Sequence, residues 1–562
     1  MKSLREFWKW VRRGRCKAEV ASTKGAEVLR RESRPPLERQ RVPTPGAKTT
    51  GVPPEAAPGA PAEPDRPSTG APATTTLPRR PPPGIRRKRE KLILQVGIDF
   101  GTSATKIAYA RLGTAGKRVT PLVFKHRVPS CPSYCMPSVC AFDPQGKFLL
   151  GFEAARVLHD KPYDFGLRRL KVVVAGRHDP SFRDDTTECA FAQYASDHLG
   201  GSSSFVPEHV TTAFVAYAIH VVEEELARLF AGYDLDIGFN VCIPIDHVEN
   251  VAVKKVFDRI LLSAELLAKR WPTTAMGLQV LELAADQYDA SECLCFNEES
   301  RVLPVPEAVA EIASYCTSVR AQDGLHAIID FGAGTTDVSI FNRVSGPKQN
   351  RDSGRTEYVT RLWWYATKNL PRGTNRLERV VASFLERAAG RGRVPRETDI
   401  VELLDNIENA PEEMKSKLRM QLRELRDDAD PTWGKAFTRR RGTSEWDGSN
   451  KVLVFVSGGG ARSPFVSEIF SSPRRTLGWG PYPVTPIPVP NDYDSMGGTI
   501  PFDRMSVAYG LFIPEPELPQ YALPRDCPDQ TPMKEFKKIV DADGCDVLYP
   551  TPGWLGKHRG SR

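Results

Sequence analysis

Around Asp330 the alternation of apolar and polar positions changes character within a few residues. The apolar run Ala327-Ile328-Ile329 stops at Asp330, and Phe331-Gly332-Ala333-Gly334-Thr335-Thr336 supplies a small-residue turn before Asp337 and the β-rich Val338-Ser339-Ile340-Phe341. The pattern predicts strand, tight turn, strand. Val96-Gly97-Ile98, Asp99, Phe100-Gly101-Thr102-Ser103-Ala104 and Thr105-Lys106-Ile107-Ala108-Tyr109 repeat the same device 231 residues earlier, counted from Asp99 to Asp330. Two such hairpins most of a domain apart suggest duplicated halves facing one ligand.

Between and beyond the hairpins, helical periodicity predicts helices over 210–229, 251–269, 307–317, 377–389, 412–427 and 505–512. Apolar runs predict strands over 237–243, closed by Pro244, and over 451–456, closed by Ser457-Gly458-Gly459-Gly460. Residues 136–142 and 148–150 read as extended pieces around a turn at 143–146. The alternation describes an α/β body over 91–513. A chain of 562 residues with 40% hydrophobic content has the material for its core.

The flanks differ. Between Pro35 and Gly84 there are 15 prolines and almost no large apolar residues, the composition of a disordered tether. Residues 1–90 hold 21 Lys and Arg against 9 Asp and Glu, a surplus of 12, so the other 472 residues sum to −3 of the chain's +9. Any argument from basic charge therefore belongs to the arm, and no specific nucleic-acid partner is expected of the body. Residues 1–15 place Leu4, Phe7, Trp8 and Val11 near one helical face among Lys and Arg, a pattern suited to an anionic membrane surface or a protein partner. Residues 514–562 form a second proline-rich tail, and arm and tail are the expected sites for a protein partner. There is no apolar run of transmembrane length and no signal-like apolar region after the basic N-terminus. Eleven scattered cysteines read as reduced thiols, and a cytoplasmic location is expected.

The chemistry follows from the turns. Glycines let backbone N–H groups approach an anion, threonine and serine hydroxyls add donors, and a carboxylate at a strand end holds Mg²⁺ through water. Other readings fail on their own motifs. Asp-Phe-Gly at 99, 164 and 330 lacks a preceding His-Arg-Asp catalytic loop, which argues against a protein kinase. Gly458-Gly459-Gly460 lacks the spacing of a dinucleotide fingerprint. Cys131, Cys135 and Cys140 lack paired Cys-x₂-Cys spacing and read as structural rather than zinc-binding.

The two hairpins, with Val454–Pro464, Pro137-Ser138-Val139, Leu150-Gly151, Ile243-Pro244 and Ser506-Val507-Ala508-Tyr509-Gly510, resemble in order the motifs of the actin, hexokinase and heat-shock-70 ATPase superfamily, closest to its chaperone branch. The resemblance spans about residues 92–513. It implies a two-lobed actin-like fold of duplicated ribonuclease-H-like domains, binding ATP or ADP with Mg²⁺. Asp99 and Asp330 would hold the hydrated metal. Gly101, Thr102, Ser103, Gly332, Ala333, Gly334 and Thr335 would cradle phosphates, and Thr335 or Asp337 would orient the attacking water. Gly458, Gly459 and Gly460 would let the backbone pass the nucleotide, with Arg462 stacked near adenine.

Three departures shape the expectation. Arg168 occupies the place of the chaperone's catalytic lysine, while Lys106 stands where the actin branch keeps a phosphate lysine. The segment that reads Glu-Pro in the resembled family reads Val305-Pro306-Glu307 here, so its catalytic glutamate is either displaced by two residues, to Glu307, or lost. The stretch after 513 predicts no peptide-binding sandwich. The expected activity is slow ATP hydrolysis that switches a protein partner; a polymerising actin-like scaffold or a small-molecule kinase are the alternatives.

Overall fold

A computed structural model describes most of residues 89–527, apart from 114–117, 129–130, 163–164, 200–204, 272–276, 293, 298, 350–355, 390–394, 440–451, 471–483 and 514–517, together with 537–540 and 546–549. The basic helix expected at 1–15, the proline-rich tether and most of the C-terminal tail lie outside the described residues.

The described body is mixed α/β and built on two six-stranded sheets. In the first, the strand order is Thr120–Pro121, Ala104–Arg111, Lys91–Phe100, Asp234–Ile243 and Val302–Pro306, with Cys135–Pro137 also paired to Ala104–Arg111. In the second it is Val484–Pro486, Leu453–Ser457, Gly324–Phe331, Thr336–Gln349, Thr356–Leu370 and Gln520–Ala522. In each sheet the strand that opens an antiparallel hairpin is also paired, on its other side, with a parallel strand that follows a helical crossover. The two hairpins share one register: Asp99 faces Lys106 and Phe100 faces Thr105, as Asp330 faces Asp337 and Phe331 faces Thr336. In both turns the glycine after the phenylalanine, Gly101 or Gly332, lies so close to a carbonyl three residues on that a β-carbon would collide with it.

Three apolar layers hold this arrangement. One packs the first sheet on the helices Pro207–Leu229, Val251–Lys269 and Leu278–Ala290. Another packs the second sheet on Asn375–Ala389, Glu412–Arg439 and Pro464–Phe470. Between them, Glu307–Cys316 and Ser506–Phe512 share a layer with Ala108 and Cys242 of the first sheet and Ile328, Phe341 and Trp364 of the second. These two helices cross where Gly510 meets the Ala310 carbonyl, a contact that leaves no room for a β-carbon.

Some elements differ from the sequence-based expectation. The helix beginning at Glu412 continues to Arg439, past the expected end at 427, with Pro431 inside it. Met414, Leu418, Leu422, Leu425, Ala429 and Trp433 lie buried at three- and four-residue spacing along its inner face, so packing carries it through the proline. Val302–Pro306 is a strand despite Pro304 and Pro306. It pairs on one side with Asp234–Ile243, and Phe239 donates its N–H to the Arg301 carbonyl at 2.7 Å. That phase turns the amide groups of residues 303 and 305 toward the partner strand and leaves the prolines on the outer side, where no N–H is needed.

Candidate functional site

The hairpin tips are brought together by direct contact. A β-carbon on Gly334 would stand 2.5 Å from Thr102 Cγ2, so glycine alone allows the second turn to pack on the first. Beside this contact lies a cavity of about 630 Å³, within the range of small-molecule sites. Of the residues expected to act, Asp99, Gly101, Thr102, Ser103, Lys106, Arg168, Glu307, Asp330, Gly332, Ala333, Thr335, Gly458 and Gly459 line it. Gly334 stands just behind the wall, against Thr102 and Val172.

Three strand ends place the polar groups. Leu453–Ser457 runs parallel to Gly324–Phe331 with Ser457 beside Asp330, so its terminal turn at Gly458 (φ +81°) abuts the Asp330 carboxylate. Ser138 donates its backbone N–H to the Ser103 carbonyl at 2.9 Å, which ties Pro137 and Val139 to the first turn and into the cavity wall. On the far side, Thr374 and Asn375 donate to the carbonyls of Gly332 and Ala333 at 3.0 and 2.8 Å, fixing the start of a helix to the second turn.

Lys171 was not singled out by the sequence, yet its ammonium also lines the cavity, together with Lys106. It is 3% exposed and donates to Glu307 Oε2 at 2.9 Å. Arg169, the residue between strand and helix, adopts φ +56° and ψ +40°. This left-handed joint, unusual for a β-carbon-bearing residue, starts the helix Leu170–His178 and turns Lys171 inward. Arg168 also lines the cavity, but its Nε is committed to the Phe165 carbonyl at 2.8 Å. Glu307 opens the helix Glu307–Cys316 directly after Pro306 and lines the cavity.

Lys106 forms an ion pair with Asp99, its cross-strand neighbour. Burial works against the Lys106 ammonium, and Asp99 more than offsets it, holding the pKa above the usual lysine value. Burial opposes the Lys171 ammonium as well; the surrounding groups, chiefly Glu307 because burial keeps Cys242 a neutral thiol, raise its pKa. Asp330 shows the opposite balance. Burial, then the Glu307 carboxylate, push it up to about 7. Asp337 and Glu311 are raised well above the carboxylate range by burial and by the same acidic neighbours.

The acidic surplus suits a cation. The ligand atoms of Asp99, Cys242 and Glu307 lie within 4.8 Å of one another. Magnesium prefers the oxygens of such a set, with water filling its remaining positions, and its charge would return Asp330 to the ionised form.

Not every expected residue reaches the cavity. Arg462 forks onto Asp503, Nε to Oδ2 at 2.7 Å and an Nη to Oδ1 at 2.8 Å, and Arg504 lines the wall instead. Gly460 is buried behind Gly459, against Thr374 and Phe331. Asp337 sits one step back from the wall. It accepts from Asn369 Nδ2 at 2.7 Å and from the Thr335 hydroxyl at 3.5 Å.

No protein-family model matches this chain, and no curated protein matches it significantly.

Proposed function

We propose that the cavity binds Mg-ATP and that the body is a two-lobed actin-like ATPase of the heat-shock-70-like branch. In this reading the molecule is a slow ATPase whose nucleotide state switches its grip on a protein partner. The supporting observation is convergence: two hairpins of equal register, 231 residues apart, touch at Thr102 and Gly334 and share one cavity with the Gly458-Gly459 turn. Backbone amides and hydroxyls of the two turns are suited to the phosphates. Asp99 and Asp330, both on the cavity wall, are suited to the hydrated metal, and Glu307 stands within 4.8 Å of Asp99 by their ligand atoms.

The Lys171–Glu307 pair supports hydrolysis as well as binding. Phosphoryl transfer needs charge neutralisation and an oriented water, and this pair offers a cation and a carboxylate side by side in the cavity. Contact with a partner is assigned to the basic arm or to the tail.

Calorimetry with Mg-ATP tests binding. The wild-type chain is expected to bind with micromolar or tighter affinity and D99A/D330A to lose detectable heat. Equal affinity in the two proteins, or no heat from wild type, overturns the reading. Phosphate release at saturating ATP tests hydrolysis; release no faster than from buffer reduces the proposal to a nucleotide-binding switch.

A further inference from the structure

Two cysteines stand on the cavity wall beside Lys106, and the reading above gives them no part. Cys131 and Cys135 both carry thiols and both line the cavity. Cys131 is partly exposed, Cys135 only 1%. The backbone brings them together in two steps. Cys131 N–H closes onto the Val128 carbonyl at 3.0 Å, and Cys135 N–H closes a turn onto the Pro132 carbonyl at 2.9 Å. The Cys131 thiol then points back over that turn, with Sγ 3.4 Å from the Cys135 carbonyl oxygen, and its side chain also hydrogen-bonds the Cys135 thiol.

Cys135 is itself part of the first sheet. It starts the strand Cys135–Pro137 and pairs with Lys106, the residue whose ammonium holds Asp99. A change of covalent state at Cys135 therefore acts one strand away from that pair.

We propose that Cys131 and Cys135 form a reversible peroxide-sensitive disulfide in the cavity wall, a redox site that adjusts the binding face next to Lys106. The Cys131 hydrogen bond lowers the Cys135 pKa; burial opposes it, and the Lys106 and Arg504 cations add to the lowering. Cys135 is thus the nucleophile, since the thiolate is the reactive form. The oxidant is hydrogen peroxide, entering through the cavity. The Cys135 thiolate attacks one peroxide oxygen, forming an S–O bond as the O–O bond breaks; hydroxide leaves and takes up the thiol proton as water. Cys131 sulfur then attacks the sulfenic sulfur, forming the S–S bond as the S–O bond breaks. The second hydroxide leaves with the Cys131 proton as water. Two thiols are oxidised and one peroxide is reduced to two waters.

The bridge does not depend on the ATP reading, whereas its effect on nucleotide affinity rests on it, and two readouts separate them. The full chain is treated with stoichiometric hydrogen peroxide, remaining thiols are alkylated, and peptides are mapped by mass spectrometry before and after dithiothreitol. A 131–135 bridge lacking two hydrogens, reversed by dithiothreitol and absent from C131S and C135S, is expected. In C131S, dimedone is expected to capture sulfenic acid at Cys135. Both cysteines remaining alkylatable after peroxide, or Cys135 advancing to sulfinic acid in wild type, overturns the proposal whatever the nucleotide data. Mg-ATP affinity of the oxidised chain is then expected to fall about tenfold and recover on reduction. An unchanged affinity with the bridge formed removes its control of the cavity and overturns that part.

Discussion

Lys171 Nζ and Glu307 Oε2 lie 2.9 Å apart although 136 residues separate them, and both side chains are almost wholly buried. Removing one member leaves the other as an uncompensated buried charge, at a cost of about 3–5 kcal/mol. K171M and E307L are each expected to lower the denaturation midpoint strongly, and K171M/E307L to recover much of the loss. An additive double mutant would mean that the two groups are not coupled. E307Q, which keeps a hydrogen-bond acceptor for Lys171 but not the charge, is expected to destabilise less than E307L and to lower phosphate release at least tenfold while changing Mg-ATP affinity much less.

The Thr102–Gly334 contact predicts a compensating pair. G334A would bring its methyl group to 2.5 Å from Thr102 Cγ2 and 3.2 Å from Val172 Cγ2, forcing the turns apart. Mg-ATP affinity is expected to drop by at least tenfold. T102S removes the closer of these contacts, so T102S/G334A is expected to bind more tightly than G334A alone. Calorimetry on the three variants decides it; no rescue would show that the turns are not held by this contact.

Stability is expected to fall in mild acid through buried imidazoles. His326 is held near pKa 4, first by burial, although its hydrogen bond to the Gly324 carbonyl raises it. Nδ1 donates to that carbonyl at 2.7 Å, leaving Nε2 to accept from the Tyr315 hydroxyl at 3.1 Å, and the ring lies nearly parallel to Phe341 and Phe455. His247 is held near 3 by burial and then by the Lys171 charge. In both cases the unfolded chain binds the proton more readily, so their stabilising contribution is complete above about pH 6.5 and is lost as pH falls toward 4 and then 3. For His326 the difference corresponds to roughly 3 kcal/mol. Urea midpoints of wild type and H326Q between pH 7 and pH 4.5 test this: the wild-type slope is expected to be steeper, and parallel curves would remove His326 as a cause.

A fourth prediction concerns the helix crossing. G510A would place a methyl group on the Ala310 carbonyl oxygen, a backbone atom that cannot rotate away. The helices would have to separate within the layer shared by both sheets, at a cost of about 3 kcal/mol. A thermal midpoint within a degree of wild type would show that the crossing is looser than described.

What could be read from the chain, and what could not, divides at the distance over which residues cooperate. The two hairpins were legible because Asp, Phe, Gly and the hydroxyls are contiguous, and the turn needs only its own residues. Gly458 and Gly459 were legible as the end of an apolar run. Lys171 was not: it lies three residues beyond Arg168, at the start of a helix that opens from the left-handed joint at Arg169, and it reaches the cavity wall beside Glu307. Arg504 in place of Arg462 is a similar case, because Asp503 captures the nearer guanidinium through folding rather than through sequence. The strand Thr356–Leu370 lacks clean alternation for a further reason. A bulge opposite Ile340 and Phe341 puts the successive residues Tyr365 and Ala366 in the same layer, while Leu362 and Trp364 enter the layer on the other face of the sheet.

Pro304 and Pro306 have a consequence for self-association. They occupy the outward positions of the strand that terminates the first sheet, where a visiting strand from another molecule would look for amide hydrogens and find none at alternate residues. That margin is closed to fibre-like extension by the imino acids themselves. Copies of this protein are therefore not expected to join by continuing this hydrogen-bond ladder from one molecule to the next.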